Sequence, residues 1–225
     1  MSYNDRKVLD RLAVQIISLR QLSNMKQQII VIHGGTTFDT YEDYLSFLKN
    51  REIKLDRLKS NRDWKDTLQE KLGENFEVLL PRMPNGTNAR YKEWKIWFER
   101  IIPFLGKEVI LLGHSLGGVF LAKYLSETDF PVKIKATILV AAPFDDSDRK
   151  ESLTNFKLPA SLKKFAKQGG EIYLIQSKDD PSVPFEQLEK YKQALPSVKT
   201  MIFDDREHFN QETFPEMVKL IKQLK

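Results

Sequence analysis

The sequence predicts an α/β protein, a three-layer sandwich in which helices cover both faces of a mostly parallel β-sheet. Two observations carry this prediction. Short, continuous apolar runs such as residues 29–32 are typical of strands that are buried on both faces. Longer segments between these runs repeat their apolar residues at i, i+3, i+4 and i+7, which is the pattern of one helix face. Because the two kinds of segment alternate along the chain, we expect parallel strands joined by helical crossovers.

About six strands are expected, and each is short and apolar. They fall within residues 29–32, 76–80, 109–112, 136–140, 172–175 and 198–203. Helices are expected between the strands and at the end of the chain. Their apolar faces fall within residues 41–48, 64–72, 91–105, 116–125, 162–167, 185–194 and 214–221. The irregular, charged connection at 143–169 predicts a short, lid-like insertion.

Composition excludes several classes of protein. The 225 residues include no cysteine, which excludes disulfides, thiolate metal ligands and a cysteine nucleophile. The three histidines lack the spacing of metal ligands, so we expect no metal. The net charge of +5 is spread thinly, which argues against a nucleic-acid surface. No apolar run reaches the roughly 18 residues of a membrane-spanning helix.

The first residues carry basic side chains before an apolar stretch, but the small-residue cleavage site of a secretory signal is missing. The apolar spacing Val8, Leu12, Ile16 and Leu19 predicts an amphipathic helix instead. We therefore expect a helical N-terminal extension at residues 1–24, a single domain over 25–225 and a cytoplasmic protein.

The strongest local signal is the run Gly113-His114-Ser115-Leu116-Gly117, which matches G-x-S-x-G between a predicted strand and a predicted helix. Such a turn is sharp and holds its serine in a strained backbone conformation. Side chains two residues to either side would collide, which explains the glycine at both positions. The turn places the Ser115 hydroxyl at a helix N-terminus, where developing negative charge is stabilised. Ser115 is therefore the candidate nucleophile.

A serine nucleophile needs a base, and elimination among the three histidines selects His208. His114 adjoins Ser115 within the turn and is poorly placed to reach its hydroxyl, while His33 ends the first strand. His208 follows the last strand, and loops at the carboxyl ends of parallel strands share one edge of the sheet. We therefore expect His208 to lie beside Ser115.

The acid that orients His208 is expected in the loop after the fifth strand. Asp180 lies in the run Asp-Pro-Ser-Val-Pro, where two prolines fix the loop and direct the carboxylate. Its neighbour Asp179 is the main alternative. Weaker alternatives follow the fourth and sixth strands: Asp145, Asp146, Asp204 and Asp205. With Asp180 as the acid, the three residues occur in the order Ser, Asp, His.

An acyl-transfer site also needs N–H donors for the oxyanion. The amide of Leu116, the residue after the nucleophile, is one candidate. The second is expected in the loop after the first strand, where Gly35 is the first choice and Thr36 the second. Thr36 and His114 are also expected to contact the substrate.

Together these motifs resemble the α/β-hydrolase superfamily, from about Lys26 onward. More narrowly, the sequence is similar to the small serine hydrolases grouped with retinoblastoma-binding protein nine. That likeness rests on Met83-Pro84-Asn85 before a helix with Trp94, on Asp180-Pro181, and on His208-Phe209-Asn210. The resemblance implies a sheet in the order 2-1-3-4-5-6, a Ser–Asp–His triad and no cofactor. Residues 1–24 and the long charged stretch between Thr36 and Gly73 depart from the compact pattern of the family.

The motifs and the resemblance predict a serine hydrolase, specifically a carboxylesterase that cleaves small or medium acyl esters through an acyl-enzyme. An amidase or peptidase with the same triad is one alternative, because no acyl-pocket signature separates the two. The alternative from another class is a protein-interaction module that has kept the fold and lost turnover, with the charged residues 49–71 as its contact surface.

Overall fold

The computed structural model describes residues 26–53, 55, 59, 62–147 and 151–224. Its six strands are β1 (Gln27–Ile32), β2 (Phe76–Leu79), β3 (Glu108–His114), β4 (Lys133–Val140), β5 (Glu171–Ser177) and β6 (Lys199–Phe203). All neighbouring pairs are parallel, and the spatial order is β2-β1-β3-β4-β5-β6, as predicted. Strand β3 therefore lies inside the sheet, with β1 and β4 on either side.

Helices connect the strands. They are α1 (Tyr41–Asn50), α2 (Trp64–Leu72), α3 (Tyr91–Glu99), α4 (Leu116–Glu127), α5 (Lys163–Gln168), α6 (Glu186–Ala194) and α7 (Pro215–Gln223). Short 3₁₀ helices occur at Ile102–Phe104 and Thr154–Phe156. Within the described residues, no helix has the length and apolar character needed to cross a membrane.

Alternate side chains of the buried strands enter two separate cores, because successive residues of a strand point to opposite faces. On one face, Leu111 packs with Phe120 of α4. On the other face, Ile110 packs with Trp64 of α2 and Met217 of α7. Burial of each such side chain contributes about 1.5–3 kcal/mol. The buried stretches of β1 and β3, residues 29–32 and 109–112, are continuously apolar because both of their faces are covered.

The predicted helix over residues 91–105 is shorter in the structure. Helix α3 ends at Glu99, and the 3₁₀ turn Ile102–Phe104 follows it. Pro103 has no amide hydrogen, and its ring clashes with the preceding turn of an α-helix. Leu105 therefore reaches the core from a turn in which its amide donates to the Ile102 carbonyl at 3.0 Å.

The described part of the connection 143–169 packs closely on the domain. Phe156 and Phe165 are completely buried in the core beside α3 and α4. The Thr37 hydroxyl donates to the Ser152 carbonyl, which joins this connection to the loop after β1. A lid-like motion of the segment stays a prediction. The predicted N-terminal extension, residues 1–24, lies outside the described residues.

Parallel strands bring their carboxyl ends to one edge of the sheet. The loops that carry the predicted site residues leave β1, β3, β5 and β6 at that edge. This arrangement gathers residues that are far apart in sequence, from Gly35 to His208.

Candidate active site

Ser115 occupies the sharp turn between β3 and α4. Its φ of 54° lies in the left-handed region, where a non-glycine residue is strained. A Cβ on Gly117 would lie 2.2 Å from the Ile32 carbonyl oxygen, and one on Gly113 would lie 2.5 Å from the Gly117 oxygen. Both glycines are therefore required by close backbone approach. The turn is further fixed by a hydrogen bond from the Ser115 amide to the Val140 carbonyl at 2.8 Å.

His208 and Asp180 are brought together from the loops after β6 and β5. His208 Nδ1 lies 2.8 Å from Asp180 Oδ2 and 3.1 Å from Oδ1. The amides of Ser182 and Val183 also donate to Asp180 Oδ1, at 2.8 and 2.9 Å. The Asp180 side chain is completely buried, so these donors satisfy a carboxylate that would otherwise be costly to bury. Because Nδ1 donates to Asp180, Nε2 of the neutral ring is left as the acceptor.

The alternative acids have other partners. Asp179 is exposed and accepts hydrogen bonds from the Ser177 hydroxyl at 2.5 Å and the Glu207 amide at 2.9 Å. The Ser177 hydroxyl is the main reason that the pKa of Asp179 is lowered. Ion pairs engage three more of the alternatives with lysines: Asp145 with Lys190, Asp146 with Lys157, and Asp204 with Lys178. For the fourth alternative, Asp205, the distance from Oδ1 to Arg206 Nε is 3.7 Å. The geometry therefore favours Asp180 as the acid.

Ser115 and His208 line the same cavity, which has a volume of about 780 Å³. Gly34, Gly35 and Thr36 form another part of its wall. Among the described residues, no hydrogen bond joins the Ser115 hydroxyl to the His208 ring. Such bonds often shorten only when a substrate is bound.

The candidate oxyanion donors lie where β1 and β3 end. Among the described residues, neither the Gly35 amide nor the Leu116 amide donates to a backbone carbonyl. Leu116 is the first residue of α4, and the Ser115 side chain makes no capping bond there, so this N–H stays unpaired within the helix. The Thr36 amide, by contrast, donates to the Gly86 carbonyl at 2.9 Å. The geometry therefore favours Gly35 over Thr36 as the second donor.

His114 lies beneath the site. Its Nε2 donates to the His208 backbone carbonyl at 2.8 Å, and the two rings are 5.0 Å apart between centroids. Burial, followed by the nearby positive charge of Lys65, lowers the pKa of His114 well below its usual range. His114 is therefore neutral and supports the His208 loop. Its predicted contact with substrate stays a prediction, as does that of Thr36.

His33 ties together the loops after β1 and β2. Its Nε2 accepts the Met83 amide at 2.8 Å, so Nδ1 carries the hydrogen and donates to the Gly34 carbonyl at 2.6 Å. The same loop after β2 is held to α3 by the Trp94 indole, which donates to the Pro84 carbonyl at 2.8 Å. These contacts give the Met-Pro-Asn run a structural role in supporting the loop that contains Gly35.

Helix α2 is joined to the His208 loop through Trp64. The Trp64 indole Nε1 donates to the Phe209 carbonyl at 2.8 Å, and its amide donates to the Gln211 carbonyl at 3.0 Å. The rings of Trp64 and Phe214 are 5.3 Å apart in an edge-to-face arrangement. The start of α2 and the loop after β6 therefore form one packed unit.

Lys65 lines the cavity and is buried, which the sequence did not predict. Its Nζ lies 2.6 Å from Asp63 Oδ2. A lysine on a predicted surface helix is usually exposed, so the pattern carried no signal for its burial. Among the described residues there is no group of three or more histidine, aspartate or glutamate side chains suited to a metal ion.

Comparisons with known proteins show that the chain is similar in sequence to serine hydrolases. A family model described as serine hydrolase matches residues 57–223. The chain is 28% identical to rat serine hydrolase RBBP9 over 151 residues, which cover 66% of this chain and 78% of that protein.

Solved structures share the fold at low sequence identity. The Bacillus subtilis ydeN gene product is 19% identical, with a TM-score of 0.70 over 88% of this chain and 98% of that one. A structure described among carboxylesterases of the thaumarchaeon Nitrososphaera gargenis is 13% identical, with a TM-score of 0.55 over 89% and 90% of the two chains. These likenesses establish the α/β-hydrolase fold.

Proposed function

Because the chain belongs to the serine hydrolase family, we propose that it is a carboxylesterase in which Ser115 is the nucleophile, His208 the general base and Asp180 the orienting acid. The observation that carries this proposal is the contact of 2.8 Å between His208 Nδ1 and the buried Asp180 carboxylate, since His208 also lines the cavity that contains Ser115. This contact leaves the other ring nitrogen of His208 free to take a proton.

The proposed reaction has two halves. His208 Nε2 takes the proton of the Ser115 hydroxyl while Oγ attacks the ester carbonyl carbon, and the tetrahedral oxyanion is bound by the Gly35 and Leu116 amides. The intermediate collapses, the bond to the alkoxy oxygen breaks, and His208 gives its proton to the leaving alcohol. Water, deprotonated by His208, then attacks the carbonyl carbon of the acyl-enzyme. The bond from that carbon to Ser115 Oγ breaks, His208 returns the proton to Oγ, and the acid is released.

Small or medium acyl esters are the proposed substrates. The cavity of about 780 Å³ falls in the range of ordinary small-molecule sites. The described carboxylesterase activity of a structural neighbour agrees with an ester as substrate.

The first test is covalent labelling with a fluorophosphonate probe. We expect the wild-type protein to be labelled and Ser115→Ala to be unlabelled, because the probe reacts with a serine that has a base and oxyanion donors around it. Ser126→Ala is the matched control and should be labelled, because Ser126 lies on the same helix and its hydroxyl donates to the Ala122 carbonyl. A folded wild-type protein that is not labelled would contradict the proposal and favour the interaction module.

A second measurement separates an esterase from an amidase. Matched 4-nitrophenyl and 4-nitroanilide derivatives of butyrate differ only in the scissile bond. We expect turnover of the ester to exceed that of the anilide. Faster cleavage of the anilide would assign the same triad to an amidase.

A further inference from the structure

Arg51 brings a positive charge to the wall of the cavity that contains Ser115. It follows α1 directly, and its guanidinium carbon lies 5.2 Å from the centroid of the Phe47 ring. Phe47 and Arg51 both line the cavity. Among the described residues, the structure gives the Arg51 guanidinium no ion pair with a carboxylate. An aromatic face thus holds an arginine whose charge is not paired with an acid among the residues that the structure describes.

The other charges of this wall are already engaged. Lys65 Nζ is paired with Asp63 at 2.6 Å, and the same carboxylate accepts the Lys65 amide at 2.8 Å as the cap of α2. Glu151, an exposed side chain that also lines the cavity, is not free either. Among the described residues that line this wall, Arg51 is therefore the cation available to a ligand.

We infer that the site selects esters whose acyl part ends in a carboxylate, and that Arg51 binds that carboxylate. A planar guanidinium binds a carboxylate through two parallel N–H···O bonds, which makes arginine suited to this recognition. The inference rests on the proposed esterase function and adds a substrate class to it. Ester cleavage itself requires only the groups around Ser115.

The test compares two esters that differ in the terminal charge: 4-nitrophenyl hydrogen adipate and 4-nitrophenyl heptanoate. The measured quantity is the ratio of kcat/KM for the adipate to that for the heptanoate. We expect Arg51→Gln to lower this ratio about tenfold through KM, because a charge-assisted bond is lost. Arg51→Lys should retain part of the preference, since the charge is kept.

Arg100→Gln is the matched control. Arg100 is an exposed arginine at the end of α3, and it does not line the cavity. Its substitution should leave the ratio at the wild-type value. Added salt should lower the ratio in the wild-type protein and have little effect on it in Arg51→Gln, because salt screens an exposed charge pair.

The outcomes distinguish the two proposals. If the wild-type protein cleaves the heptanoate and the ratio is the same in Arg51→Gln, the inference about Arg51 is wrong and the esterase proposal stands. If the wild-type protein cleaves neither ester and is not labelled by fluorophosphonate, both proposals fail.

Discussion

The Nε2–H of His114 donates to the backbone carbonyl of His208 at 2.8 Å. His114 directly precedes Ser115, the proposed nucleophile, and it thus supports His208, the proposed base. The bond spans β3 and the loop after β6. It gives the site a direct link between the end of a strand and a loop that approach each other only in the folded protein. Because a neutral imidazole carries one N–H, the Nε2–H is the single ring donor of His114.

Substitution of His114 tests this support. His114→Leu removes the donor and leaves the His208 carbonyl unpaired, so we expect kcat to fall about tenfold or more. His114→Gln offers an N–H near the position of Nε2 and should retain more activity. Steady-state kinetics on a 4-nitrophenyl ester measures both variants. Equal activity in the two variants would show that the donor is unimportant.

The same histidine makes stability depend on pH. Its pKa is lowered in the folded protein by burial, whereas the unfolded chain titrates near the ordinary value of 6.5. Below that pH the unfolded state binds the additional proton, so the stability contributed by neutral His114 is present above pH 6.5 and lost as the pH falls.

Urea unfolding at pH 7.5 and pH 5.5 measures this contribution. From pH 7.5 to pH 5.5, the free energy of unfolding should decrease by about 1 kcal/mol more in the wild-type protein than in His114→Gln. Parallel curves for the two proteins would mean that His114 is protonated normally in the folded state.

Single and double substitutions test whether Ser115 and His208 act as a unit. We expect Ser115→Ala and His208→Ala each to lower kcat/KM by about 10³-fold or more, because neither group acts without the other. The double variant should be hardly worse than either single variant. Near-UV circular dichroism serves as the control for folding. Losses that multiply in the double variant would rule out a shared mechanism.

The assignment of the acid is tested by a matched pair of asparagines. Asp180→Asn removes the charge that stabilises the His208 cation, so kcat should fall by about 10²–10⁴-fold. Asp179→Asn keeps an oxygen that accepts from Ser177 and the Glu207 amide, and its activity should stay within a few-fold of wild type. The opposite pattern would transfer the role to Asp179.

Gly117 within the turn and Gly86 outside it differ in whether they tolerate a side chain. Gly117→Ala would place a Cβ 2.2 Å from the Ile32 carbonyl oxygen, and we expect it to destabilise the fold by about 3 kcal/mol or more. Gly86→Ala is the matched control, since its Cβ would meet His33 Cε1 at 3.4 Å, near an ordinary contact distance. Thermal unfolding of both variants measures the difference. A stable Gly117→Ala would contradict the close approach of β1 to this turn.

Much of the fold was predictable because the apolar patterns of the sequence match the burial of the same residues in the structure. The apolar runs around Ile30 and Leu111 are buried on both faces, so their patterns follow directly from their surroundings. The turn at Ser115 was predictable because it restricts the residue type at several adjacent positions. The end of α3 was predicted less well. The helical spacing of apolar residues continues to Leu105, whereas Pro103 interrupts the backbone hydrogen bonds of an α-helix.

Contacts between distant loops were not predictable from the sequence. The bonds of His33 to Met83 and of His114 to His208 depend on where loops meet, and a single sequence records no such proximity. The burial of Lys65 is of the same kind, because its partner Asp63 and its aromatic neighbour Trp64 satisfy it only in the folded chain.

The position of Trp64 makes its intrinsic fluorescence sensitive to changes at the site. Its indole is buried, donates to the Phe209 carbonyl and lies edge-on to His114, with 6.4 Å between ring centroids. Of the three tryptophans, Trp97 is exposed and Trp94 lies in the core beside His33. Acylation at Ser115 that displaces the His208 loop would change the polarity around the Trp64 indole. The intrinsic fluorescence of a Trp97→Phe protein would then follow single turnovers in real time without a chromogenic substrate.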